Sequence, residues 1–348
     1  MKTLPYKKGQ GYLITDRLTR KYLSGVDIAE GYILYAEKPL YFTDARYFYA
    51  AKEKLSGTGF IPVLNSGIDD VKSAINDLSV KELFVDYSRT TVKEYEQYKS
   101  FAEKISDCSN VLENTREVKN AEEIRAIEKA CKIAQDALEF AFENVREGMT
   151  ERELCAILEN KMAELGSSGP SFDTIVAFGA NAAVPHHETG DTKLEKNSVI
   201  LIDTGCVSES YLSDVTRTAF FGEPDEEFAF CYQAVLEANE KAEREIVEGT
   251  DTFSADKIAR DVLEEKGLGK YFTHSLGHGV GMEIHETPYL SPKKKGVKIR
   301  NGVVFTVEPG VYKDGRFGIR IEDTCVMENG KTRRLFTDDK KLKIIKTK

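Results

Sequence analysis

From Asn120 onward the chain runs through one order of elements twice, and each pass ends in strands that carry two carboxylates. Asn120 with Glu123 forms a capping-box pattern. Ile124, Ile127, Cys131, Ala134, Leu138, Ala141, Phe142 and Val145 then recur at helical spacing up to Gly148. Thr150 with Glu153 opens a second helix carrying Leu154, Ile157, Leu158 and Leu165, closed by Gly166. Apolar strands are predicted around 172–179, 198–206 and 214–221. A long helix from about Asp225 to Val247, a shorter one from Ser254 to Glu265, and strands at 303–308 and 318–327 repeat the order. Little residue identity links the two copies. Such a duplication predicts two similar halves face to face, with a cleft where their sheets meet.

The carboxylates stand where a strand pair would gather them. Val199-Ile200-Leu201-Ile202 is a continuous apolar run, as in a buried strand, and Asp203 ends it before Thr204-Gly205. A buried carboxylate needs a hydrogen-bonding partner, a proton or a metal, so Asp203 reads either as a turn cap or as a ligand. Asp214 opens the next strand-like run eleven residues on, and antiparallel pairing would bring both acids to one place. In the second copy Glu308 closes Val303–Val307, and Glu322 follows Gly318-Ile319-Arg320-Ile321 at a spacing of fourteen. Four converging carboxylates repel unless cations lie among them.

All five histidines fall between 186 and 285. In Ser275-Leu276-Gly277-His278-Gly279-Val280-Gly281, glycines flank His278 and let the backbone approach a neighbour closely. A structural turn fits this segment. A phosphate loop does not, because neither the GxGxxG spacing nor a following GKS or GKT is present. Beside the carboxylates, His278 is read as a metal ligand. Oxygen-rich ligation with a single imidazole favours manganese, cobalt or iron. Two such ions, about 3.5–4 Å apart, would activate a water and polarise a carbonyl.

Residues 1 to about 110 have a different texture. Strands are predicted at 31–35, 40–42, 60–64 and 82–85, with Asp44 capping a helix that runs to Leu55. This stretch reads as a complete α/β domain, and 348 residues favour two domains, placed at 1–115 and 116–348. A net charge of -9, with 41% hydrophobic and 31% charged residues, predicts a soluble globular protein without a nucleic-acid or membrane partner. The basic run Lys293-Lys294-Lys295 is read as a solvated turn. No leader-like apolar stretch is seen, and no segment approaches the roughly 18 apolar residues of a membrane span. The six cysteines form no CxxC pair, so a reducing, cytoplasmic setting is expected.

Five motifs, in order, carry a resemblance: Ile202-Asp203-Thr204-Gly205, Ser213-Asp214-Val215-Thr216-Arg217, His278-Gly279-Val280-Gly281, Val307-Glu308-Pro309-Gly310 and Arg320-Ile321-Glu322-Asp323. Together they resemble the pita-bread metallopeptidase family, which includes aminopeptidase P, prolidase, methionine aminopeptidase and the metal-free creatinase. Tyr22-Leu23-Ser24-Gly25 and Phe42-Thr43-Asp44-Ala45-Arg46-Tyr47 are similar to the creatinase-type N-terminal domain, so the resemblance spans nearly the whole chain. It implies an α+β fold, with a pita-bread catalytic domain of two pseudo-symmetric halves preceded by a smaller α/β domain. Methionine aminopeptidases lack that first domain, and creatinase lacks the ligands. What remains is a proline-specific peptidase. The resemblance implies a metal-dependent exopeptidase that hydrolyses the Xaa-Pro bond at the N-terminus of peptides, with a hydroxide bridging two metals as nucleophile. Its alternative is a Xaa-Pro dipeptidase. Implied cofactors are two divalent ions per chain, manganese first, with cobalt, iron or zinc as alternatives. Implied partners are proline-containing peptides and a second copy of the chain in a homodimer.

Residue by residue, the resemblance implies Asp214 and Glu322 bridging both ions, Asp203 chelating one, and His278 with Glu308 holding the other. Glu308 is the implied proton shuttle, His186 the oxyanion stabiliser and His285 the contact to the scissile carbonyl. His274, Tyr312 and Arg320 fall on substrate-binding or ligand-ordering positions. His186 rather than His187 matches the family's spacing of seventeen residues to Asp203. Neighbours on an extended segment face opposite sides, so His187 is expected to be dispensable. Tyr289 stands where dipeptidases of the family often carry an arginine able to pair with a dipeptide carboxylate, which favours the aminopeptidase. An aspartic protease would need a second DTG or DSG, and none occurs. A non-catalytic binding protein of this fold would usually have lost a ligand, and all five are present.

Overall fold

The computed structural model describes residues 2–293 and 296–346, which divide into two units at Arg116 and Glu117. Lys294 and Lys295, in the run read as a solvated turn, lie outside the described residues.

In the first unit a mixed six-stranded sheet runs in the order Ile61–Leu64, Leu40–Thr43, Tyr32–Tyr35, Gln10–Ile14, Glu82–Val85, Lys104–Asp107. Tyr12 and Ile14 enter one buried cluster and Leu13 another, as the period of a strand requires. The strands at Gln10–Ile14 and Lys104–Asp107 are absent from the sequence expectation, because glycine interrupts the first and the second is largely polar. Asp44 does not cap a helix. Its carboxylate accepts from the Arg46 N–H at 2.8 Å and pairs with the Arg46 guanidinium, and the helix Phe48–Lys54 begins later, without a side-chain cap. A local turn has taken the carboxylate the helix would have used.

In the second unit the duplicated order is present. Helices Ala121–Glu143 and Glu151–Glu164 precede a sheet ordered Lys343–Ile345, Val215–Phe221, Ser198–Thr204, Ile175–Phe178. Helices Glu226–Glu245 and Thr252–Glu265 precede one ordered Glu286–Leu290, Gly277–Gly279, Val304–Val307, Asp323–Glu328, Lys331–Arg334. Both expected capping boxes, Asn120 with Glu123 and Thr150 with Glu153, are formed. Strand Ser198–Thr204 sends Ile200 and Ile202 into the core of the first helix pair, and Val199 and Leu201 into the core of the second. Both faces are covered, which is why its sequence is a continuous apolar run. Each such fully buried side chain contributes about 1.5–3 kcal/mol.

Strand register then fixes the carboxylates. Thr216 lies opposite Asp203, and Val307 lies opposite Asp323. The link from Thr204 to Val215 closes through a small hairpin whose Glu209 and Ser210 have φ of 51° and 74°, the left-handed pair of a type I′ turn. The strand expected at 318–327 is broken at Ile321–Glu322. Phe317–Arg320 pairs with Gly310–Lys313, whereas Asp323–Glu328 pairs with Val304–Val307. At the break the Glu322 N–H donates across to the Thr216 carbonyl at 3.1 Å. No helix among the described residues is long and apolar enough to cross a membrane.

The Asn120 side chain accepts from the N–H groups of Glu122 and Glu123 at 2.9 and 3.0 Å. Asn120→Ala should therefore destabilise the protein by about 1 kcal/mol, read as a lower urea midpoint, while Asn120→Asp stays near wild type. Equal midpoints for all three proteins would show that the cap contributes nothing.

Candidate active site

The tips of the two strand pairs converge on a cavity of about 460 Å³ lined by Asp203, Asp214, His278, Glu308 and Glu322. His186, His274, His285 and Arg320 line it too. Each acid arrives on its own segment: Asp203 near the end of its strand, Asp214 just before Val215, Glu308 just after Val307, and Glu322 at the strand break. His278 sits at the middle of Gly277–Gly279. A Cβ at Gly277 would lie 2.1 Å from the Thr306 carbonyl oxygen, and one at Gly279 2.3 Å from that of Thr287. The glycines therefore serve close backbone approach, which seats His278 between two neighbouring strands.

His278 Nε2 lies 3.5 Å from Asp214 Oδ2 and 3.4 Å from Glu308 Oε1. Asp214, His278 and Glu322 each offer an atom within 4.8 Å of the others. The His278 Nδ1–H donates to the Gly279 carbonyl at 3.1 Å, so the Nε2 lone pair is the one turned towards the acids. Burial, then the neighbouring His285, pushes the His278 pKa down to about 3, which holds the imidazole in the neutral form that binds metals.

Arg320 is buried and ties the acids to the rest of the site. It donates to Asp203 Oδ2 at 2.5 Å, Thr216 Oγ1 at 2.9 Å, Tyr312 Oη at 2.7 Å and the Pro185 carbonyl at 3.4 Å. The Thr216 hydroxyl donates in turn to Glu322 Oε2 at 2.6 Å, and Thr306 donates to Glu308 Oε1 at 3.1 Å. Tyr312 donates onward to His274 Nε2 at 2.9 Å, because the His274 Nδ1–H is engaged with the Ser275 carbonyl at 2.8 Å. Burial and the Arg320 charge bring the His274 pKa down to about 4.

The acids themselves resist ionisation. Burial, followed by the charges of Glu322 and Asp203, raises Asp214 well above the usual carboxylate range. Burial, then Glu308 and Asp203, does the same to Glu322. Burial lifts Glu308 to about 8, with Arg320 opposing and Asp203 adding. One guanidinium cannot neutralise four carboxylates. Asp203 Oδ1 is also buried without a hydrogen-bond partner. An orphaned carboxylate oxygen, three strained acids and an imidazole lone pair among them are a donor set that fits divalent cations.

Several residues around this set were not anticipated. Asn239, fully buried on helix Glu226–Glu245, donates to the carbonyls of Val307 at 2.9 Å and Ile321 at 3.2 Å, the residues just before Glu308 and Glu322. Arg217 donates to the Glu322 carbonyl at 2.6 Å and to Asp323 at 2.7 Å. Thr324 Oγ1 donates to the Asp214 carbonyl at 2.8 Å, and Thr218 Oγ1 to that of Arg320 at 2.9 Å. Lys119 and Glu286 form a buried ion pair beside His285. Thr216 and Thr218 alternate along a strand that is buried throughout, and two hydroxyls at that spacing were a readable signal. Asn239 and Lys119 carry no local signal. The Pro185-His186 segment is a turn rather than extended; His186 lines the cavity, while His187 Nε2 meets Glu151 Oε2 at 2.9 Å.

Known proteins are similar to this chain in sequence and fold. The family model of metallopeptidase family M24 matches residues 125–329, and that of the creatinase/prolidase N-terminal domain matches residues 3–118. The chain belongs to metallopeptidase family M24. Its fold is accordingly the one expected, a creatinase-type N-terminal domain followed by a pita-bread catalytic domain, and members of the family are dinuclear metal-dependent hydrolases. The chain is 35% identical over 325 residues to the Xaa-Pro dipeptidase of Pyrococcus furiosus, covering 92% of this chain and 91% of the relative. The structure of a Xaa-Pro dipeptidase from Bacillus anthracis aligns with a TM-score of 0.93 at 32% identity, over 96% of this chain and 95% of that one. An X-Pro aminopeptidase from Thermotoga maritima aligns with a TM-score of 0.89 at 35% identity, over 97% of each chain.

The raised carboxylates give a stability test. Between pH 6.5, the ordinary histidine value, and about 8, reached by Glu308, the depressed histidines are neutral when folded and at least half neutral when unfolded, so the raised acids dominate the difference. Glu308 keeps its proton there only when folded, as does Glu243, which burial also lifts to about 8. The folded state binds more protons, so stability of the metal-free protein falls as pH rises through this window. Divalent ions favour the ionised site acids and should reduce that slope. Thermal midpoints with and without Mn²⁺ measure it, and a flat or rising metal-free profile would refute the assignment.

Proposed function

We propose that this chain is a Xaa-Pro aminopeptidase, removing the residue before proline from the N-terminus of peptides, with Asp203, Asp214, His278, Glu308 and Glu322 holding two divalent ions. The observation that carries the reading is the convergence of these side chains, from separate segments, on one cavity, with an Asp203 oxygen left over for a cation. Bound divalent ions would supply an ionised water at neutral pH and a Lewis acid for the scissile carbonyl. Glu308 takes the proton of the attacking water and returns it to the proline nitrogen, which carries no hydrogen of its own in the peptide. Neutral His285, its pKa lowered first by burial, donates to the scissile carbonyl, and His186 stabilises the developing oxyanion. His274, Tyr312 and Arg320 order the acids through their shared hydrogen bonds. Phe172, Ile175 and Ile284 offer an apolar wall for substrate side chains.

The preference for longer peptides is supported by the charge of the cavity. Among the described residues Arg320 is the one arginine or lysine on its wall, and it is committed to Asp203, Thr216 and Tyr312. A dipeptide's carboxylate would meet Tyr289 rather than a guanidinium. A Xaa-Pro dipeptidase is the second reading, favoured by the names of the Pyrococcus furiosus and Bacillus anthracis relatives. In the same reading, residues 1–115 are the creatinase-type domain and 116–348 the catalytic domain. Manganese is the preferred ion, with cobalt, iron or zinc as alternatives. The enzyme works as a homodimer in the cytoplasm, in keeping with its six free cysteines.

Two measurements test this function. Elemental analysis after loading should find about two ions per chain, and Asp214→Asn should lose metal together with at least about a hundredfold in kcat/KM. Full metal content and activity in that variant would remove the ligand assignment. Steady-state rates should give a higher kcat/KM on Xaa-Pro-Yaa-Zaa than on Xaa-Pro. A clear preference for the dipeptide would make the chain a dipeptidase.

A further inference from the structure

We infer that Glu151 and His187 are positioning residues that fix His186 in the cavity, and that they act on turnover through His186. This inference rests on the catalytic reading of His186 above. Glu151 is the first residue of helix Glu151–Glu164 and is fully buried. Its carboxylate accepts four hydrogen bonds. Oε1 takes the Phe178 N–H at 2.9 Å and Asn181 Nδ2 at 2.8 Å, and Oε2 takes the Gly190 N–H at 3.0 Å and His187 Nε2 at 2.9 Å. A buried carboxylate is tolerated when donors saturate it, and the helix N-terminus behind it adds favourable dipole charge. These donors span residues 178 to 190, so one carboxylate gathers both ends and the middle of the segment that carries His186.

That segment needs such a tether. Beyond the short 3-10 helix Gly179–Ala183 it belongs to no strand or helix up to Gly190. His186 lies between two attachments. On one side the Pro185 carbonyl accepts from Arg320, and on the other His187 reaches Glu151. The two histidine rings thus divide the work, His186 towards the cavity and His187 into the wall behind it. This departs from the sequence expectation that His187 is dispensable. None of the five acid and imidazole groups assigned as ligands contacts Glu151 or His187 in these hydrogen bonds, so metal binding should not depend on the tether.

The test is a double-mutant cycle on the metal-loaded enzyme with a proline tetrapeptide. His187→Ala should lower kcat about tenfold, because a reacting group is displaced, with KM and metal stoichiometry kept within about twofold. In a His186→Ala background the same change should alter kcat by less than about twofold, because the group it positions is gone. His187→Gln, which keeps a donor for Glu151, should recover most of the loss. An unchanged kcat in His187→Ala, an equal loss in both backgrounds, or a loss of metal would each overturn the inference while leaving the reading of His186 intact. Wild-type activity in His186→Ala would overturn both.

Discussion

Like charges brought together in a low-dielectric cleft repel strongly, and Asp203, Asp214, Glu308 and Glu322 share one cavity. Much of the polar architecture of the second unit answers that repulsion. Arg320 brings the one full positive charge to the wall among the described residues and spends it on Asp203. Hydroxyl donors meet two of the others: Thr216 serves Glu322, and Thr306 serves Glu308. The supports are themselves supported. Arg217, Asp323 and Lys340 form a buried charged cluster directly behind the Glu322 backbone, with half-buried Asp338 at its edge. A site of this kind holds its shape because few of its groups can move without leaving another one buried and unpaired.

The duplication gives this arrangement its form. Each half brings two acids at the end of a strand pair, but several of the hydrogen bonds that fix them cross between halves. Thr216 of the first half holds Glu322 of the second, and Thr324 of the second holds the Asp214 backbone of the first. Thr218 and Arg320 add a reciprocal pair, each bonded to the other's strand. Asn239 then locks both glutamate-bearing strands to one helix. Neither half can present its acids correctly alone. The break at Ile321–Glu322 is the local expression of this dependence, since a continuous strand would keep the Glu322 N–H in its own sheet instead of on Thr216.

What the sequence made legible follows from which interactions are local. Asp203 and Glu308 stand out because each ends an apolar run, and His278 because glycines surround it. The helix pairs are legible because their faces are periodic and their caps are side chains within three residues. Glu151 was hidden by the same logic. An acid in the first turn after a Thr150 cap looks like a solvated partner of the helix dipole, yet it is fully buried and holds a distant loop. Asn239 looks like one polar residue among many on a long helix. Its partners, Val307 and Ile321, are backbone groups some seventy to eighty residues away, and no local pattern encodes them.

The site also depends on two kinds of stiffness. The five residues assigned as ligands sit on or beside strands, whose ladders fix the backbone without further help. His186 does not, because it lies on a stretch outside helix and strand, and His285 ends such a stretch just before strand Glu286–Leu290. Each is followed in sequence by a residue whose side chain bonds a buried partner, His187 to Glu151 by a hydrogen bond and Glu286 to Lys119 as an ion pair. Such a pair is a weak source of net stability, since desolvation offsets much of its attraction, but it is specific in direction and intolerant of slippage. That property suits a loop that must present one imidazole at one angle. Strand ladders can carry the charge-dense ligand set, and buried pairs one residue along the chain can aim the groups that meet the substrate.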